Sequence, residues 1–308
     1  LTYHALSSHL LHPSHAKSQI AIIDTTGSFS PTRLRDVLVY RLEAKHQRQS
    51  YQQSGYVYAK TSISTEKFVE EAIALLDRVK VMRVFDLAGV IEAVGEVGQM
   101  IEPALETSVK NVERKQEIGD SEDDDEEDGE ESSPPKPAPV DGSAAGHESD
   151  QVGVIIVDNI ANVVSSLMSK SQTAGQALLV SFMRTLSNLT ARHHICTILT
   201  NAVVGLASSS STSMYKRRPE ENVSIFASTV GKPALGKTFT YLVDTSIFLS
   251  TVPSKIEDAI VLYGDAGPGE AWRKAIVIEV VKDKRGAREG RWAAFEIVDE
   301  VKIVPCRR

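Results

Sequence analysis

Three short segments of the chain are continuously hydrophobic, and each of them ends on polar residues. Residues 20–24 read IAIID, residues 152–159 read VGVIIVDN, and residues 196–201 read CTILTN. Continuous apolar runs of this length are typical of strands that are buried on both faces of a parallel sheet. In open α/β sheets, ligands bind outside the carboxyl ends of such strands. We therefore predict three buried strands whose polar ends form a phosphate-binding edge.

The segments between and after these runs have other periodicities. Apolar residues recur every three or four positions in residues 175–192, which predicts a long amphipathic helix. The last third of the chain alternates between apolar and polar residues, as antiparallel strands do. Further helices are predicted at residues 1–12, 67–76 and 88–99, and further strands at 79–85, 239–250, 275–281 and 292–298. This order predicts an α/β fold, with a mostly parallel central sheet flanked by helices and antiparallel strands at the C-terminal end.

One acidic segment dominates the charge of the chain. Residues 115–150 contain 14 acidic residues and two lysines, whereas the whole chain has a net charge of −7, so the remainder carries +5. Like charges repel and the prolines at 134, 135, 137 and 139 oppose regular structure. We predict a disordered acidic insertion at residues 113–151 inside a single domain spanning 1–308. A solvated spacer is favoured over a DNA-mimicking or partner-binding segment.

Composition also bears on the compartment. No apolar stretch approaches the roughly 20 residues that cross a membrane, and no basic-then-apolar leader precedes the first helix. The two cysteines, Cys196 and Cys306, are too far apart for a metal-ligand pattern, which favours a reducing compartment. Because the chain starts at Leu1 and reads directly as helix, we expect it to be the C-terminal part of a longer protein.

Residues 231–238, GKPALGKT, match the phosphate-loop pattern GxxxxGK[ST]. Such a loop works only between a buried strand and a helix, because the helix N-terminus supplies free N–H groups to phosphate. The residues that follow Lys237 are rich in β-branched and aromatic types, which predict a strand. We therefore interpret this match as coincidental. The histidine pair at 193 and 194 has no ligand-spaced partner, so no metal site is predicted there.

Five blocks of sequence together resemble the RecA-like recombinase core. They are residues 22–34 (IIDTTGSFSPTRL), 81–86 (VMRVFD), 154–159 (VIIVDN), 198–201 (ILTN) and 232–236 (KPALG). The last block is most similar to the eukaryotic Rad-family recombinase paralogues of the D type. The resemblance covers nearly the whole chain outside the acidic insertion. It implies that the family's phosphate loop and its small helical N-terminal domain would precede Leu1.

The resemblance also implies roles for individual residues. Asp158 corresponds to the magnesium-associated aspartate, and Asn201 lies at the nucleotide edge, so ATP and Mg²⁺ are the expected ligands of the full-length protein. The family's catalytic glutamate falls at Thr26, whose hydroxyl cannot act as a general base near neutral pH. The polar residue that often follows Asn201 in the family is Ala202 here. Both departures predict degenerate ATPase chemistry.

Two basic groups are candidates for DNA contact. Residues 203–231 correspond to the family's second DNA-contacting loop and contain Tyr215, Lys216, Arg217 and Arg218, a basic cluster beside an aromatic ring. A second group surrounds a predicted hairpin and comprises Lys282, Lys284, Arg285, Arg288 and Arg291. Solvated surface turns are the alternative interpretation for both groups, and the Lys-Arg-Arg run also fits a nuclear import signal.

The sequence therefore predicts a recombinase paralogue that acts as a mediator in homologous recombination and double-strand-break repair. Its expected partners are other recombinase paralogues or the recombinase itself, together with single-stranded or branched DNA, in the nucleus. Two alternatives remain open: an active DNA-dependent ATPase, and a structural bridging subunit that binds neither DNA nor nucleotide. The sequence does not identify the partner subunits or the preferred DNA structure.

Overall fold

The computed structural model describes residues 1–54, 65–116, 151–205, 224–226, 231–263 and 273–306. Its helices are α1 (Thr2–Leu10), α2 (Pro31–Ser54), α3 (Thr65–Leu76), α4 (Leu87–Gln116), α5 (Ile160–Lys170), α6 (Gln172–His193), α7 (Gly236–Leu242) and α8 (Ile256–Tyr263). Its strands are β1 (Gln19–Asp24), β2 (Val79–Arg83), β3 (Val152–Asp158), β4 (Cys196–Leu199), β5 (Val203–Gly205), β6 (Gly231–Pro233), β7 (Thr245–Pro253), β8 (Lys274–Asp283), β9 (Trp292–Val298) and β10 (Lys302–Pro305).

Four parallel strands form the first sheet, in the order β2-β1-β3-β4. In this register Asp24 at the end of β1 lies beside Asp158 at the end of β3 on one side and beside Arg83 on the other. The carboxyl ends of the strands therefore meet at one edge, as the polar ends of the apolar runs predicted. Helices between the strands make each crossover, which parallel pairing requires.

Alternate residues of β3 face two separate cores. Ile155 and Val157 pack in a cluster with α4, α5, α6 and α7, whereas Val154 and Ile156 pack in a cluster with α1, α2 and α3. Residues 155–157 have no exposed surface. This arrangement explains why the sequence of β3 is continuously apolar, because both faces of the strand are covered by helices. The predicted layered α/β fold is confirmed.

Only two of the three predicted buried strands are buried. Strand β4 lies at the edge of the sheet, where Cys196 is exposed and the next three residues are half-buried. The prediction of a buried strand at 196–201 was therefore wrong in its burial, although the strand itself is present. A short apolar run shows that a strand is favoured but does not show whether the strand has neighbours on both sides.

The strand predicted at residues 239–250 begins later than expected. Residues 236–242 form helix α7, and strand β7 starts at Thr245. Gly236 has φ +71°, a left-handed conformation that glycine adopts at low cost. Leu235 and Phe239 are both buried in the core that covers β3. Burial of these two side chains has overridden the local preference for strand.

The C-terminal strands form an antiparallel sheet in the order β10-β9-β8-β7, which confirms the predicted alternation. Helix α4 continues to Gln116, so residues 113–116 of the predicted insertion are helical, and residues 117–150 lie outside the described ranges. None of the helices in the described part of the chain combines the length and apolar character that a membrane crossing requires.

Candidate functional site

Asp24 is a fully buried carboxylate at the centre of the carboxyl edge of the parallel sheet. Its Oδ1 accepts hydrogen bonds from the backbone N–H groups of Thr26 (3.1 Å), Gly27 (2.8 Å) and Ser28 (3.3 Å). Its Oδ2 accepts one from the N–H of Phe29 at 3.2 Å, and the Arg83 Nε lies 3.9 Å away. The loop after β1 therefore folds around this carboxylate, and its shape depends on it.

These hydrogen bonds set the protonation state of Asp24. Burial alone would raise its pKa, but the N–H donors of Phe29, Thr26 and Gly27 stabilise the charged form more strongly and leave the pKa below its ordinary value. The carboxylate has its acceptor capacity filled and is a weak base. The strand pattern predicts Asp24 at this edge but no role for it, although the turn-forming residues Thr-Thr-Gly-Ser that follow are the signal for a loop centred on a carboxylate.

Thr26 belongs to the same loop. Its hydroxyl donates to Asp24 Oδ1 at 3.2 Å and lies 2.7 Å from the Ser28 hydroxyl. Neither neighbour supplies a base, since a hydroxyl does not ionise near neutral pH and the Asp24 carboxylate is already occupied. The described part of this loop therefore offers no group that could activate a water molecule.

A second set of hydrogen bonds joins the ends of β1 and β3. The Asn159 backbone N–H donates to the Thr25 hydroxyl, which in turn donates to the Asn159 carbonyl, each at 2.9 Å. The Asn162 side chain donates to the Thr25 carbonyl at 2.8 Å. Thr25, Asn159 and Asn162 were not singled out from the sequence, because their partners are more than 130 positions away. They hold the two loops in fixed register.

Asp158 and Asn201 lie on the β3 and β4 side of the same edge. Oδ1 of Asp158 accepts a hydrogen bond from the Thr200 hydroxyl, and the Asp158–Asn159 peptide bond is cis. Within the described residues, the buried Oδ1 of Asn201 has no hydrogen-bond partner. One carboxylate and one unsatisfied amide oxygen fit a Mg²⁺ ion that keeps several waters and takes its other ligands from phosphate. The described ranges contain no group of three or more residues that could hold a metal by themselves.

The N-terminal end of helix α1 reaches this edge as well. The Tyr3 hydroxyl accepts a hydrogen bond from the Ser30 backbone N–H at 2.9 Å, and its ring lies 5.6 Å from the ring of Phe29. The helix is fixed along its length by Arg41, whose guanidinium donates to the His4 carbonyl and to the Ser7 hydroxyl. The positive end of the α1 dipole therefore lies beside the polar strand ends.

The pattern at 231–238 does not form a phosphate loop in this structure. Residues 231–233 form strand β6, which pairs antiparallel with β5 instead of lying in the parallel sheet. Only Ala234 and Leu235 separate this strand from helix α7, and Lys237 is already inside the helix. The interpretation as a coincidental match is supported, but its stated reason was wrong, because a helix does follow the motif.

The basic hairpin between β8 and β9 is partly occupied by internal contacts. Arg285 forms an ion pair of 2.8 Å with Asp244, and the Lys284 ammonium donates to the Tyr241 carbonyl at 2.8 Å. Arg288 donates to both oxygens of Asp283, and this side-chain hydrogen bonding lowers the pKa of Asp283 to about 2 in spite of burial. Lys284, Arg285 and Arg288 therefore all form contacts within the protein, and the first two hold the hairpin against the C-terminal end of α7.

Two further groups considered from the sequence are the basic cluster at residues 215–218 and the histidine pair at 193 and 194. Tyr215, Lys216, Arg217 and Arg218 lie outside the described residues. His193 ends helix α6, and His194 caps it in a left-handed conformation with φ 54°. Within the described ranges neither histidine belongs to a metal-binding cluster.

Comparison with protein-family models gives no match, and comparison with curated protein sequences gives none either. Among solved structures, the chain is similar to one described as the crystal structure of the RadB recombinase, at 16% sequence identity and a TM-score of 0.47. The aligned region covers 98% of this chain and 83% of that one. A TM-score this low does not by itself establish a shared fold, so the fold rests on the strand order and register described above.

Proposed function

We propose that this chain is the core of a RecA-like recombinase paralogue that binds DNA and other recombinase subunits and has degenerate ATPase chemistry. The observation that carries the proposal is the convergence of Asp24, Asp158 and Asn201 at one edge of a parallel sheet. Four of the five sequence blocks that resemble the recombinase core lie on the strands of this sheet or directly follow them. The expected setting is nuclear, in homologous recombination and double-strand-break repair.

The chemistry of the edge favours binding over hydrolysis. Asp158 and Asn201 would contribute oxygens to a hydrated Mg²⁺ that accompanies nucleotide phosphates, and the bound ion would supply charge neutralisation. The position of a general base is taken by Thr26, and the nearest carboxylate is filled by N–H donors. An accessory role, in which bound nucleotide stabilises a subunit contact, fits these residues better than rapid turnover.

A titration with a fluorescent ATP analogue and Mg²⁺ tests the nucleotide part of the proposal. We expect Asp158→Ala to weaken Mg²⁺-dependent binding by about tenfold or more, because one charged ligand is lost. Lys237→Ala is the matched control and should leave binding unchanged, since the strand before it, β6, pairs with β5 and not with the parallel sheet that carries Asp158. Binding that is lost in Lys237→Ala and kept in Asp158→Ala would contradict the proposed site. Rapid ATP turnover would favour the alternative of an active DNA-dependent ATPase.

Salt dependence tests the DNA part. Each phosphate contact on single-stranded DNA makes the slope of log K against log salt more negative by about 0.7. Replacing Lys216, Arg217 and Arg218 together by alanine should therefore reduce the magnitude of the slope by roughly 2. A control removes three charges from exposed helical positions, with Lys67, Lys170 and Arg184 changed to alanine, and should leave the slope unchanged. Equal slopes for the wild type and the 216–218 variant would mean that these three residues do not contact DNA, and the absence of measurable DNA binding by the wild type would support a structural bridging subunit instead.

A further inference from the structure

Three histidines lie close together where α1 ends and the chain turns towards β1. The His9 ring is half-buried and stacks on the His15 ring, with 4.4 Å between the ring centroids and an angle of 16° between the ring planes. The centroid of the His12 ring lies 5.1 Å from that of His15. His12 and His15 are exposed to solvent, so both can take up protons freely, whereas His9 is packed against the protein.

The His9 ring is held against the first residues of two strands. Its Nε2 lies 2.9 Å from the hydroxyl of Ser18, the residue directly before β1. A Cβ placed on Gly153, the second residue of β3, would lie 2.3 Å from Ser18 Oγ and 3.1 Å from His9 Cε1. Only glycine leaves room for this approach, so the imidazole and the hydroxyl pack directly on the backbone of β3. The cluster therefore lies at the amino edge of the parallel sheet, at the opposite end of the strands from the candidate site.

Arg78 fixes a positive charge beside these histidines. It lies directly before β2, and its guanidinium donates to the backbone carbonyls of Leu10 at 3.2 Å, Ser18 at 2.7 Å and His15. These carbonyls belong to the last residue of α1 and to its connection with β1. The guanidinium therefore cannot move away from a protonated imidazole without breaking several hydrogen bonds.

The surroundings of His9 favour its neutral form. The pKa of His9 is lowered to about 4, and burial of the ring is the largest cause. Repulsion from His15, Arg78 and His12 acts in the same direction. Helix α2 contributes one more cation to α1, Arg41, which donates to the preceding turn. All of these groups are cationic or become so in acid, so none of them compensates a proton on His9.

We propose that His9, His15 and Arg78 form a proton-sensitive clasp, which holds the C-terminal end of α1 against the amino edge of the sheet at neutral pH and releases it in mild acid. A proton on His9 creates an imidazolium whose ring is stacked on His15 and lies beside an immobilised guanidinium. Release of the ring into water relieves both repulsions. The N-terminal end of the same helix carries Tyr3, which contacts the loop of the candidate site, so the clasp fixes the helix on which that contact depends.

The direction of the pH effect follows from the protonation of His9 in the two states. In the released state His9 has its ordinary pKa of about 6.5 and takes up a proton in mild acid, whereas in the closed state it stays neutral. The closed state is therefore fully favoured above the ordinary pKa and loses stability as the pH falls from there towards about 4. Between pH 7 and pH 5, the ratio of released to closed molecules should rise by about twentyfold.

Amide hydrogen exchange of the full chain at these two pH values measures this ratio, once the rates are corrected for the intrinsic effect of pH. The N–H groups of Leu11 and Ser18 report on the clasp, because they donate to carbonyls within residues 7–15. Their protection should fall by about twentyfold at the lower pH. Leu11 should also exchange faster than Ile156 of β3 at both pH values. Equal protection of Leu11 and Ile156 would mean that only complete unfolding opens the clasp, which would overturn the proposed release.

Three variants separate the charge of His9 from its packing. His9→Gln keeps an amide that can bond to the Ser18 hydroxyl and is neutral at every pH, so Leu11 protection should differ by less than about twofold between the two pH values. Gly153→Ala places a Cβ against the Ser18 hydroxyl and should lower the protection already at pH 7. His194→Asn is the matched control, because it removes an exposed histidine at the end of α6 and should keep the full pH dependence.

Other results would overturn the inference. Equal protection of Leu11 in the wild type at the two pH values would mean that acid does not open the clasp. A fall in His9→Gln as large as that in the wild type would mean that another group senses the pH. If His9→Gln does not fold, NMR titration of the His9 ring in the wild type decides the question. A midpoint near 4 supports the clasp, and one near the ordinary value of about 6.5 contradicts it.

Discussion

Replacing Asp24 with alanine is expected to lower the free energy of unfolding by about 3 kcal/mol, since a buried carboxylate that accepts several N–H hydrogen bonds is removed. Four consecutive N–H groups, from Thr26 to Phe29, would lose their acceptor at once. Gly27 and Ser28 are exposed, so their N–H groups can form hydrogen bonds to water in the variant. The loss of stability is therefore smaller than the sum of four separate hydrogen bonds. Urea unfolding monitored by circular dichroism measures the change.

Two variants sharpen this test. Asp24→Asn keeps Oδ1, which accepts most of the donors, and loses the acceptor of the Phe29 N–H, so we expect a cost of about 1 kcal/mol. Asp36→Ala removes an exposed carboxylate that pairs with Arg35 and should change stability by less than about 0.5 kcal/mol. A loss in Asp24→Ala no larger than in Asp36→Ala would show that the loop after β1 does not depend on the carboxylate.

The stability lost in Asp24→Ala should depend on pH, because the pKa of Asp24 in the folded protein is lowered. The folded state holds the carboxylate charged at pH values where the unfolded chain already takes up a proton. Its contribution to stability is therefore complete above the ordinary pKa of about 4 and is lost as the pH falls below that value. The difference in stability between wild type and Asp24→Ala should shrink correspondingly in acid.

Burial patterns made the first sheet predictable from the sequence. The run from Val154 to Val157 is apolar at every position because helices cover both faces of β3. The position of β4 at the edge was not predictable in the same way. Its residues have the composition of a buried strand, whereas its exposure depends on which strands pair with it, and that is decided by the whole fold.

The residues at the strand ends of the site could be predicted from the sequence, whereas the hydrogen bonds that join its loops could not. Asp158 is the last residue of β3 and Asn201 lies two residues after the end of β4, so their location at the edge follows from the strand direction. The Thr25 hydroxyl and the Asn159 backbone are bonded across 134 positions, and nothing local marks either residue as a partner of the other. Glu279 illustrates the same limit, because a glutamate in an alternating strand is read as solvated until residues 224–226 are seen to cover it.

Replacing Ile156 with alanine is expected to cost about 4 kcal/mol, within the range of about 2–5 kcal/mol for buried isoleucine or leucine. Ile156 has no exposed surface, and β3 is hydrogen-bonded on both sides, with Ile156 beside Ile22 of β1 and Ile198 of β4. A cavity there has little means of collapsing. Val81 also pairs with Ile22 but lies on edge strand β2 with 42% exposure, so Val81→Ala should cost less than about 1 kcal/mol. Equal midpoints for the two variants in urea would mean that β3 is not the central strand of this core.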